Sequence, residues 1–347
     1  DQYQRSQLFG VNQIIAAISG AAIAFIAWTF FFAGERVRAT DGQLVPGQLD
    51  PAAYSPMILF ACATIIIAIW TCAATTYRHV PRLSQAPQSE ERISPLYFVR
   101  AIISTFRSRN YVVLMCGFFF FMIASGIYDT LTMFINTYFW ELKPEQIRWF
   151  GLATGPMGVL GALASPHLMR RFDRKPVVVG ALGAMAVFAQ LPVTLRLLGL
   201  MPENGDALLL PLLLANAGAF LFTIAVYGVG VMGMIGDIID QNELITGRRQ
   251  EGLYYSARSF FAKASNSIGH VFAGVMLDLY IRLPYEAVPG QLDDAILTRL
   301  GIVAGPLMAS FAVMSLICYR YYNLPASQHR EILLEIQAKK NQSEMRQ

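Results

Sequence analysis

The chain has 347 residues, 55% of them hydrophobic and 14% charged, with a formal net charge of +4 and a mean hydropathy of +0.44. A soluble domain carries about a quarter charged residues. Here the charges also gather between long apolar runs, which excludes a soluble amphipathic bundle and a barrel of short alternating strands. The positive balance belongs to loop arginines rather than to nucleic-acid binding.

A membrane-crossing helix needs about 20 mostly apolar residues. Eight segments meet that length, near 8–33, 54–77, 111–136, 146–169, 176–198, 207–235, 253–279 and 295–320. Ahead of them Asp1 to Gln7 is polar and lacks the apolar core of a signal peptide. Arginine and lysine concentrate in alternate gaps, which places both ends of this chain on the cytoplasmic side of an inner, plasma membrane. The gap 78–110 holds Arg78, Arg82, Arg92, Arg100, Arg107 and Arg109, and 170–175 holds Arg170, Arg171, Arg174 and Lys175. The Pro- and Ser-rich loop 78–110 separates a two-span group in 1–77 from a six-span group in 111–320, and a cytoplasmic tail follows over 321–347.

Val45-Pro46-Gly47-Gln48-Leu49-Asp50 recurs as Val288-Pro289-Gly290-Gln291-Leu292-Asp293, each time in an outside loop before the last span of its group. Parallel six-helix repeats build the major facilitator fold. The expected fold class is therefore an all-α membrane protein with a partial major facilitator fold, its eight helices corresponding to V through XII of twelve. On that numbering the first four helices lie outside this sequence.

Charges inside spans are expensive and mark candidate sites. Asp129 is the one acidic residue well within a span, roughly 27 Å along its helix from Tyr111 by rise per residue. Lys263 lies roughly 15 Å from Leu253, near the bilayer centre. Ser259 is one turn earlier on the same face, and a snorkelling Lys263 is the alternative. Arg258, nearer the cytoplasmic end, touches solute or snorkels. Tyr128, Asn136, Asn216 and Tyr227 serve either solute contact or interhelical hydrogen bonds.

Gly151, Gly155, Gly158 and Gly161 have the spacing that lets helices approach closely. His270 reads as a buried histidine for packing, interhelical bonding or proton relay, while His79, His167 and His329 fall at span ends or in loops. Cys62, Cys72, Cys116 and Cys318 sit in apolar runs without metal-site spacing and read as packing residues. No nucleophile elbow, P-loop or metal-ligand cluster is present, so an enzyme is not expected and no cofactor is implied beyond a coupling ion, Na⁺ or H⁺.

The run Asp237-Ile238-Ile239-Asp240, Glu243, Thr246-Gly247-Arg248-Arg249-Gln250-Glu251-Gly252, Tyr255-Ser256, Phe260 and Lys263 resembles the loop X–XI signature of the glycoside-pentoside-hexuronide:cation symporters. Asp1 to Leu8 resembles that family's IV–V loop, and Met169 to Pro176 its VIII–IX loop. The resemblance implies symport of a sugar, glycoside or related small solute with a cation across the lipid bilayer, by alternating access. It assigns Lys263 a place near the cation site. It also makes Arg5, Asp173, Arg174, Asp237, Asp240, Glu243, Arg248, Arg249 and Glu251 a cytoplasmic gating network, against the alternative of solvated topogenic charges. Glu243 and Glu251 are expected near a helix N-terminus. Asn12 and Gln13 stand where sugar carriers of the family have an arginine, and the family's cation-binding carboxylates lie on helices I, II and IV. A non-transporting membrane sensor on the same scaffold, or a symporter of a lipid-like or conjugate solute, are the alternatives.

Overall fold

The computed structural model describes residues 2–37, 42–82, 103, 105–106, 108–247 and 250–344. The linker expected at 78–110 therefore falls largely outside the described residues. All eight expected spans are helices. In chain order they are α1 (Gln2–Ile26, prolonged by a wide turn Ala27–Phe31), α2 (Pro51–Tyr77), α3 (Arg109–Phe134, prolonged over Ile135–Phe139), α4 (Pro144–Phe172), α5 (Arg174–Leu197), α6 (Leu209–Thr246), α7 (Glu251–Val275) and α8 (Asp294–Arg320). A ninth helix, α9 (Ala326–Glu344), follows. A small hairpin of β1 (Glu35–Val37) and β2 (Leu44–Pro46) lies between α1 and α2.

Local chemistry sets the helix ends. Asp50 caps α2 by accepting from Ala52 N at 3.0 Å, with Pro51 at the first helical position. Ser108 caps α3 through Tyr111 N. Asp173 breaks the chain between α4 and α5 at φ +67°, and Gly247 ends α6 in the left-handed region at φ +69°. The repeated hexapeptides play one role twice, since each ends on the residue that precedes a helix, Asp50 before α2 and Asp293 before α8.

Six helices are apolar and long enough to cross a membrane; α4 and α7 fall short on hydropathy. Both are packed into the bundle, α4 against α1 and α6, and α7 against α3. Glycines set these contacts. A Cβ on Gly155 would lie 2.9 Å from that of Ala21, and one on Gly161 would lie 2.5 Å from Phe222 O. The small-residue stripe of α4 thus works as its spacing predicts. Two buried apolar clusters lie end to end through the six-helix group, one around Tyr111, Leu182 and Ile235, the other around Ile127, Ile281 and Leu300. By contrast α2 has no buried residue in its hydropathic window. Ile65, Ile66, Ile67, Ile69 and Trp70 are exposed on it, which suits acyl chains rather than water.

Two expectations change here. Cys62, Cys72 and Cys116 are exposed, not packed, because they point away from both clusters. The span expected to end at 235 continues to Thr246, so Asp237, Asp240 and Glu243 are helical and buried instead of lying in a loop. Glu243 is consequently near a helix C-terminus, where the dipole does not favour a carboxylate, whereas Glu251 opens α7 as expected.

Candidate functional site

A cavity of about 510 Å³ lies between α1 and the six-helix group. Trp28, Tyr128, Phe150 and Phe220 supply aromatic faces, and Ser125, Thr132, Asn136 and Thr154 supply hydrogen-bonding groups. Asp129 is the sole charged residue in its lining. A smaller annexe of about 80 Å³ adds Asn216. The Asn216 amide donates to Phe188 O at 2.9 Å, while its Oδ1 is buried without a partner. An orphaned buried acceptor costs about 1–3 kcal/mol, and a hydroxyl entering the annexe would relieve that cost.

One side of the cavity is formed by the α1 segment, with Ala24 and Trp28 in the lining. Gly151, Gly155 and Gly158 of α4 lie against Ala17, Ala21 and Ala24. Beyond them Glu145 accepts from Gly34 N at 2.9 Å, Lys143 meets Glu35 at 3.3 Å, and Gln48 donates to Thr137 at 3.4 Å. These contacts are small-residue packing, two exposed polar pairs worth at most about 1 kcal/mol each and one buried hydrogen bond between Gln48 and Thr137.

The expected site residues divide into three groups. Tyr128, Asp129 and Asn136 line the cavity, with Asn216 in the annexe. Lys263 and Ser259 lie outside it on the free face of α7, where Ser256, Ser259, Lys263, Ser267 and His270 form an exposed polar stripe at three- and four-residue spacing. No carboxylate among the described residues pairs with Lys263. His270, expected to be buried, is exposed at the end of this stripe. Tyr227 and Arg258 form the third group. The Tyr227 hydroxyl meets that of Tyr319 at 2.8 Å in the buried core. Arg258 does not snorkel: its guanidinium turns in over Phe118, 4.6 Å from the ring centroid, with Tyr111, Tyr227, Tyr255 and Tyr319 near it.

Of the expected gating residues, Arg5, through its side chain, and Arg248 and Arg249 lie outside the described residues. The structure gathers Asp173, Arg174, Asp237 and Asp240 at one end of the bundle. Asp173 accepts from Arg174 N at 2.5 Å, and Arg174 forms an ion pair with Asp237 and also donates to Gly233 O at 3.2 Å. His329 of α9 completes the cluster, its Nε2 lying 3.3 Å from Asp237 and 3.1 Å from Asp240. His329, Ile332 and Ile336 are the buried face of α9, and Lys339 donates to Leu244 O at 3.2 Å. Lys175 reaches Tyr322 O at 2.6 Å, and burial raises the pKa of the Tyr322 phenol, which stays neutral beside the acids. The sequence reading placed His329 at a span end or in a loop. The i, i+3, i+7 spacing of His329, Ile332 and Ile336 was the signal available.

A helical bundle with several lipid-compatible spans, a cavity between α1 and the six-helix group and a buried charge cluster at one end is that of a multi-pass integral membrane protein. Residues 1–326 match the family described as MFS/sugar transport protein, and the chain belongs to that family. It is 33% identical over 132 residues to an uncharacterized symporter of Synechocystis, a match covering 35% of this chain and 24% of the relative. It is 27% identical over 255 residues to the uncharacterized symporter YnaJ of Bacillus subtilis, covering 72% of this chain and 50% of the relative. The matched region spans half the length of these curated relatives or less.

Proposed function

We propose that the protein is a cation-coupled symporter that moves a sugar, glycoside or related small polar solute by alternating access, with the charged end of the bundle in the cytoplasm. The observation that carries this reading is the cavity of about 510 Å³, within the range of small-molecule sites. Its pattern fits a hydroxylated solute. Tyr128 and Phe220 form a ring pair at 4.8 Å that offers an apolar platform. Asn136, Thr132 and Thr154 face the same space, and Asn216 Oδ1 awaits a donor. Met133, Leu221, Ile224 and Met308 complete an apolar wall, which favours a glycoside with an apolar aglycone over a bare sugar.

The polar stripe of α7 supports the same reading. Exposed Lys263 is costly against acyl chains, so this face of α7 borders water or further protein, as the wall between two rocking bundles must. On this reading the small-residue contact of α1 with α4 is the closed outer gate, and the cytoplasmic charges of α5 and α6 belong to the opposite gate.

Counterflow in vesicles made from the full-length protein tests it. A labelled disaccharide, a glucuronide and an alkyl glycoside are loaded in turn, with Na⁺ or a pH gradient varied. The expected result is exchange of the glycoside, made concentrative by one cation. Absence of exchange for all three by correctly inserted protein would overturn the proposal.

A further inference from the structure

We propose that the solute of this cavity carries a protonated amine, which the Asp129 carboxylate receives, together with hydroxyl groups that bond further along α3. One face of α3 builds the arrangement. Ser125, Tyr128, Asp129, Thr132 and Asn136 all line the cavity, and their i, i+3, i+4, i+7, i+11 spacing puts them on one side of the helix. By rise per residue, Asp129 and Asn136 are roughly 10 Å apart along the axis. A sugar joined to a single ring can bridge that separation.

Charge in the lining has one sign. Asp129 is the only charged residue among the described ones that line the cavity. No arginine, lysine or histidine among the described residues forms an ion pair with it. A carboxylate held within a span without a cation is costly, and an arriving ammonium relieves that cost. An anionic solute meets the opposite, repulsion from Asp129 and no guanidinium or ammonium in the lining to receive it. The hydrogen-bonding groups point the same way. Thr132 and Thr154 each spend their hydroxyl proton on their own helix, donating to Tyr128 O at 2.6 Å and to Phe150 O at 2.7 Å. Their oxygens are left as acceptors, like Asn216 Oδ1 in the annexe. Such a wall calls for a solute rich in donors, and an ammonium offers three with no acceptor of its own.

The rest of the wall distinguishes an organic cation from a metal ion. Trp28, Phe150 and Phe220 bring rings from the α1 segment, α4 and α6 to the same cavity, and Tyr128 adds a fourth from α3. Aromatic rings attract an ammonium, whereas a hard metal ion needs oxygen ligands gathered round one point. Here the α3 oxygens are strung out instead, with Ser125 and Thr132 about one turn to either side of Asp129 and Asn136 about two turns away.

The amine deepens the glycoside reading and rests on it for transport, but binding can be read by itself. Three phenyl β-glucosides that differ only in the para group, aminomethyl, hydroxymethyl or carboxyl, are titrated into the full-length protein in lipid nanodiscs and followed by calorimetry. The aminomethyl compound is expected to bind about tenfold or more tightly than the hydroxymethyl one, and the carboxyl compound to bind weakest. Asp129→Asn should bring the first two within about twofold of each other. Asp129→Ser replaces it if that variant does not fold, and the ranking on the unmutated protein needs neither. Equal binding of amine and alcohol, tightest binding of the carboxyl compound, no binding of the aminomethyl compound, or a preference that survives in Asp129→Asn would each overturn the inference. So would a preference lost when Na⁺ replaces K⁺ at constant ionic strength, which would give Asp129 to the metal ion. Counterflow of a neutral glycoside without any amine preference would leave the transport reading standing. An amine preference without counterflow of any glycoside would refute the transport reading alone.

Discussion

Two charged regions of this molecule sit on the same helix bundle and are treated in opposite ways. At the cluster of Arg174, Asp237, Asp240 and His329, the acids are buried, at 6% and 4% exposure for Asp237 and Asp240, and salt-bridge or hydrogen-bond partners surround them. Along the α3–α7 edge, Asp129, Lys263 and His270 are exposed, and Lys263 has no ion-pair partner among the described residues. Burial without partners is prohibitive, so the first region is a structural joint that ties α5, α6 and α9. The second region is free of that role, and its charges are available to bind and change partners. Stability and transport should therefore respond to mutation in the two regions in opposite proportion.

The largest stability effect belongs to the joint. Arg174→Ala leaves Asp237 buried with His329 alone and should destabilise the protein by about 2–3 kcal/mol, toward the lower end for a broken buried pair because one partner remains. Unfolding in detergent, followed by scanning fluorimetry, measures it; an unchanged melting temperature would erase the contrast. A smaller loss, about 1–2 kcal/mol, is expected for His329→Ala, which removes one hydrogen-bonding partner of two acids and should also increase proteolysis within α9. At the other edge Lys263→Ala should change stability by less than about 0.5 kcal/mol while abolishing concentrative uptake, as vesicle uptake with and without a cation gradient would show. Normal concentrative uptake by that variant would place Lys263 outside the coupling machinery.

The placement of the helices was largely legible because lipid demands long apolar runs, and every expected span is a helix. The end of α6 was not. Asp237, Asp240 and Glu243 look like loop charges by composition, yet their three-residue spacing keeps them on one helical face, and tertiary partners on α5 and α9 make burial affordable. Arg258 shows a second limit. From sequence it is a cation near a membrane surface, and only the convergence of Phe118, Tyr227 and Tyr319 from three helices reveals that an aromatic cage holds it. The cavity residues Tyr128, Asp129 and Asn136 were readable as polar groups within a span. The contact of Thr130 with His270 was not, because it depends on Gly126 and Gly269 meeting across two helices far apart in sequence.

The central claim is that the polar stripe of α7 faces water at the wall of a transport path and not lipid. Cysteine labelling tests it most directly. In full-length protein whose Cys62, Cys72, Cys116 and Cys318 are replaced by serine, Ser259→Cys and Ser267→Cys are compared in native membranes with Ile66→Cys on the bare face of α2, using a water-soluble maleimide. The stripe positions should react and Ile66→Cys should stay unmodified; silence at both stripe positions under the same conditions would contradict the account.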